Sequence, residues 1–108
     1  MRSLVAMILM AAVLLWAAPL FAADTAAGKD LYGKKCASCH GAAGEGKDSV
    51  AKTFKVEMKP LGSKEAQSKS DSDLKKIVLE GTGKMKGIKD IDAKGADDVV
   101  AYMRTLKK

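Results

Sequence analysis

Cys36-Ala37-Ser38-Cys39-His40 decides the reading of this chain, because the five residues hold both cysteines and the only histidine among 108 residues. Two thiols three positions apart on a helical turn can add to the two vinyl groups of a haem, and the next residue, His40, is then held against the iron. Three other chemistries use the same residue types. A redox dithiol wants a strand-helix-strand setting, and a zinc site would need a carboxylate as its fourth ligand at no telling spacing. A disulfide between residues three apart would be purely structural.

Upstream of the motif the chain changes character. Leu4 to Ala23 is a run of twenty residues without a charge, preceded only by Met1-Arg2-Ser3. This pattern reads as a secretory signal peptide over residues 1–23, cut near Ala23, although Phe21 or Leu20 stands where a small residue is preferred. The competing reading is an uncleaved membrane anchor, since twenty apolar residues can span a bilayer. Either way the chain is expected to be periplasmic or exported, where haem is attached to thiols. The leader also takes with it the only tryptophan, Trp16, leaving Tyr32, Phe54 and Tyr102 as the aromatics of residues 24–108. A single domain this small, with so few large side chains, needs a disulfide, metal or cofactor to complete its interior.

Downstream patterns place the motif in an all-α domain. Asp24 and Thr25 can cap a helix from Ala26 to about Lys35 that runs into the cysteines. Gly41 to Lys47 carries three glycines in seven residues, a loop that lets backbone pass close to something bulky. A short helix is expected near Ser49–Phe54, then a polar connection through Pro60-Leu61-Gly62. Ser70 and its following acids start a helix with Leu74, Ile77 and Val78 on one side, and Gly81 stops it. Asp92 caps a last helix whose stripe is Ala96, Val99, Val100, Met103 and Leu106. No run alternates convincingly enough for a strand.

With one histidine, a bis-histidine iron within one chain is excluded. The sixth position falls to a methionine, a lysine, an amine terminus or nothing. Met103 belongs to the last helix's apolar stripe, which gives it a core role. Met58 lies only eighteen residues past His40, between charged neighbours. Met85 stands in a glycine-rich loop between Gly83 and Gly87, without a stripe to join, and is the preferred ligand. An open sixth position would instead suit a peroxidase-like or gas-binding haem protein.

The formal charge is +6, with seventeen lysines. Most lysines solvate helix and loop faces, while a positive rim with Lys84 and Lys86 beside Met85 would steer an acidic partner. Nucleic acid explains the charge less well, because few aromatics are available to stack bases.

On these residues the chain resembles the small mono-haem class I cytochromes c of bacteria over residues 26 to 106. The family's attachment motif and following glycines stand as Cys36, Cys39, His40, Gly41, Gly44 and Gly46. Its Gly-x-Gly-x-Met segment stands as Gly81, Gly83 and Met85, with Lys86 where the family often has Pro. The resemblance implies a fold of about three to five helices around one covalent haem c. It implies that the first and last helices pack through Gly28 and Tyr32 against Val99 and Tyr102. It also implies thioethers at Cys36 and Cys39, axial His40 and Met85, and a monomeric electron carrier that is not an enzyme. Its expected partner is an acidic redox protein or a membrane oxidase or reductase, docked briefly and salt-sensitively.

Overall fold

The computed structural model describes residues 23–108, so the expected leader lies, but for Ala23, outside the described residues. Helix α1 (Thr25–Lys35) starts because the Asp24 carboxylate accepts from Ala27 N at 3.0 Å, satisfying one of the orphan donors of its first turn. The same device opens the two other long helices. Ser70 Oγ accepts from Asp73 N at 3.1 Å ahead of α5 (Asp71–Glu80). Asp92 Oδ1 accepts from Gly95 N at 2.7 Å ahead of α6 (Ala93–Arg104). Between α1 and α5 lie α2 (Ala37–His40), α3 (Asp48–Phe54) and α4 (Lys64–Gln67).

The first and last helices pack against each other through the residues that the resemblance singles out. A Cβ on Gly28 would run into the backbone carbonyl of Asp98, so only hydrogen at that position lets α1 lie this close to α6. One turn on, the rings of Tyr32 and Tyr102 meet at a 5.3 Å centroid distance and 53° between planes. Such a tilted pair contributes about 0.5–1.5 kcal/mol beyond the area it buries. Tyr32, Cys36, Ile91, Ala96 and Val99 form the main buried cluster, and Leu74, Val100 and Met103 form a second one beside α5. The stripe on α6 therefore serves both. Leu106, expected on that stripe, is half-buried beyond the helix's end.

Two departures from the sequence reading have simple causes. A two-residue antiparallel ladder, β1 (Gly81–Thr82) with β2 (Met85–Lys86), forms where no strand is expected; at two residues each, its strands are too short for alternation to show. Gly83, at φ +54°, takes the first central position of its turn, where tight hairpins need positive φ. The connection after Pro60 also contains the single-turn α4, capped by Ser63. Two one-turn helices thus bring the described number to six without changing the all-α class.

Arg104 ties this connection to α6. Its guanidinium donates to Gln67 O at 2.8 Å, to Lys69 O at 2.7 Å and to Asp71 Oδ1 at 2.7 and 3.0 Å. Phe54 is 46% exposed, so among the described residues only Tyr32 and Tyr102 bring aromatic bulk to the interior. Among the described residues no helix is long and apolar enough to cross a membrane.

Candidate functional site

Cys36 closes α1, donating its N–H to Tyr32 O at 2.9 Å, and at once begins the next turn. His40 N donates back to Cys36 O at 2.9 Å, and Gly41 N to Ala37 O at 2.8 Å, so Cys36, Cys39 and His40 share one turn of helix. Neither cysteine is tied up in a disulfide; Cys36 is buried and Cys39 exposed. Burial pushes the Cys36 thiol up, with Cys39 adding to the effect, and so keeps the sulfur protonated.

His40 is half-buried, and its Nδ1 is a buried ring nitrogen without a hydrogen-bond partner. Burial also moves the imidazole below its ordinary pKa, which favours the neutral ring and leaves a lone pair for a metal. An orphaned buried nitrogen costs free energy unless something uses the ring. Two thiols and a neutral imidazole on one turn form the donor set that a covalently attached haem requires, so these residues fit that group.

The backbone after His40 is fastened at several points. Gly41, at φ +86°, turns the chain away from α2, and its carbonyl accepts from the Tyr32 hydroxyl at 2.5 Å. Tyr32 is 2% exposed, and burial pushes its phenol up to about 12, so the hydroxyl keeps its proton throughout the ordinary pH range. Gly46 N donates to His40 O at 2.7 Å, and Leu61 N to Gly44 O at 2.8 Å. The three-glycine loop is therefore a fixed wall beside His40. The packing role of Tyr32 is legible in the sequence but its hydroxyl bond is not, because nothing local marks a carbonyl nine residues away as the acceptor.

Met85 is half-buried on β2. The hairpin that carries it is anchored at its base by Ile88 N donating to Val78 O at 2.8 Å. Val78, Leu79 and Ile88 pack, with Leu31, Ala37 and Leu61, against the cluster containing Cys36. The Cys36–His40 turn and the flanks of the Met85 hairpin thus share one apolar region. Met103 is buried with Leu74 and Val100, the core role expected of it. Met58 packs against Gly46 and helps line a separate, shallow groove of about 600 Å³ along residues 45–58.

The family model described as cytochrome c oxidase, cbb3-type, subunit III matches residues 23–103. The solved structure of the KustC0563 c-type cytochrome is similar, with a TM-score of 0.63 and 25% identity over 75% of this chain and 98% of that one. No curated protein matches the chain.

Proposed function

Because the chain belongs to the family described as cytochrome c oxidase, cbb3-type, subunit III, and is a small mono-haem cytochrome c with an electron-transfer role, we propose that Cys36 and Cys39 hold its haem c through thioethers, with His40 and Met85 as the two axial ligands. The observation that carries this reading is the single turn that brings together two cysteines outside any disulfide and a neutral, otherwise unused imidazole.

When bound, the haem supplies the one-electron chemistry. The polypeptide's part is to keep the ligands still. Tyr32 fixes Gly41, the residue after the proximal ligand, and the Gly44 and Gly46 bonds hold the loop that follows. Ile88 and Val78 fasten the hairpin that brings the thioether. Fixed ligands mean little rearrangement accompanies the change of charge. A thioether and the apolar side chains of Leu31, Leu61, Val78, Leu79 and Ile88 disfavour the more highly charged ferric state, so the potential lies above that of a bis-nitrogen site.

The protein is exported, its leader is removed near Ala23, and it works as a monomer in the periplasm. Lys84 and Lys86 are exposed on either side of Met85 and steer an acidic partner to that face. The second-order rate with such a partner falls as ionic strength rises; a rate indifferent to salt would remove the steering role.

Optical spectra test the ligand set. Oxidised wild type is expected to show low-spin methionine ligation, which Met85→Ala loses while keeping its haem. Rapid, complete carbon monoxide binding by ferrous wild type would overturn Met85 as a ligand and favour an open-site haem protein.

A further inference from the structure

Asp98 is a carboxylate that the electron-transfer role does not use, yet it is only 4% exposed at the crossing of α1 and α6. A buried carboxylate is tolerated only when partnered. Its Oδ1 accepts from two nitrogens, Lys94 Nζ and the backbone nitrogen of Asp24, each at 2.7 Å. The Lys94 side chain is 62% exposed on a flexible stem, so the fixed partner is the Asp24 nitrogen, at the other end of the sequence. That nitrogen is half of the Ala23–Asp24 peptide bond, the place where the leader's small-residue exit meets the first helix cap.

We propose that the Ala23–Asp24 bond is the processing site and that Asp98 is the receptor for the α-ammonium released there, which locks the mature N-terminus onto the last helix. The inference rests on the export reading above and deepens it. Hydrolysis breaks the Ala23 carbonyl carbon–Asp24 nitrogen bond. The water oxygen stays on Ala23 as part of its carboxylate, and both water protons end on the Asp24 nitrogen, turning a neutral amide donor into an ammonium. No other atom need move, because the nitrogen is already in place.

The local charges favour this product. Lys94 is acted on by three carboxylates, Asp98, Asp24 and Asp97, and Lys75 of α5 pairs with Asp97 at 3.1 Å, so the uncut chain sets two cations against three anions. Cleavage adds a second cation beside Asp98. From α1 the ammonium faces the Asp24 carboxylate, which also caps Ala27 N, and the positive end of that helix; from α6 it faces Asp98, Lys94 and Asp97. The helix end and Lys94 oppose the new charge, whereas the Asp98 oxygen is buried and in direct contact with it. The uncut bond is already charge-assisted through its acceptor, and cleavage makes the donor ionised as well, so direct contact between opposite charges outweighs a helix-end effect that solvent screens.

Two measurements on haem-loaded protein test the assignment. The intact mass of protein recovered from exporting cells is expected to correspond to a chain beginning at Asp24. A retained leader would overturn both processing and the inference, and a different cut would overturn the assigned bond. The α-amine is then titrated by NMR in a chain starting at Asp24 and in one starting at Ala23. The Asp24 amine is expected about one unit above the ordinary terminal value, a roughly tenfold tighter hold on its proton, and the Ala23 amine near the ordinary value. Asp98→Asn is expected to abolish the rise. Equal values for the two amines would overturn Asp98 as receptor while leaving export intact, and the comparison does not depend on the variant folding.

Discussion

Gly28→Ala sets two effects of opposite sign against each other. In an isolated helix the change is favourable by about 1 kcal/mol, because alanine gives up less backbone freedom. In this protein the added methyl points into the backbone of α6, inside the carbonyl of Asp98 and 3.1 Å from Val99 N. Those atoms belong to a helix body and cannot swing aside as a side-chain tip could. The helices must therefore part, opening the Tyr32–Tyr102 contact and the Val99 packing beside it. Overpacking of this kind costs about 1–3 kcal/mol, and a rigid neighbour puts it at the upper end. Subtracting the propensity gain leaves a net loss of about 2 kcal/mol, which for a domain of this size lowers Tm by roughly 8–16 °C. Thermal unfolding of haem-loaded protein, followed by far-ultraviolet circular dichroism, reads the difference. A variant that melts at or above wild type would show that propensity alone governs the position and that the close crossing is absent.

Two further changes probe the site's supports. Tyr32→Phe removes the 2.5 Å bond to Gly41 O but leaves that carbonyl the donor Gly44 N, so the expected loss is about 1 kcal/mol. The phenol's folded value, about 12, lies above its unfolded value near 10; its contribution is thus fully present below pH 10 and lost as pH rises toward 12. Urea midpoints taken across that range should fall more steeply in wild type than in Tyr32→Phe, and parallel curves would contradict the buried hydroxyl. Lys55 ends α3 at φ +54°, a left-handed position that suits glycine. Lys55→Gly should raise the denaturation midpoint by an amount equivalent to roughly 0.5–1 kcal/mol at unchanged slope, and a lower midpoint would refute the strain.

Much of the architecture was legible because capping and periodicity are local. Asp24, Ser70 and Asp92 each sit ahead of an apolar stripe, and each caps the helix expected of it. The packing of Gly28 and Tyr32 against Val99 and Tyr102 came from resemblance, since spacing alone does not say which helix meets which. What was not legible depends on contacts between distant residues. Asp98 reads as an ordinary surface acid in an i, i+4 pair with Lys94, and its burial follows only from the approach of Asp24 across the sequence. The β1–β2 ladder is set by the positive φ of Gly81 and Gly83 and by the Ile88–Val78 bond, none of which a two-residue pattern can display. At the site, the Cys36–His40 turn announces itself through spacing, whereas the unused Nδ1 of His40 becomes visible only when its surroundings are in place.

The central claim is that two sulfurs of this chain are bonded to one haem. The direct measurement is the intact mass of polypeptide purified from exporting cells and fully denatured before analysis, with its thiols counted on the same sample. A chain heavier by one haem is expected, with neither Cys36 nor Cys39 free to react. A bare polypeptide mass with two reactive thiols would contradict it.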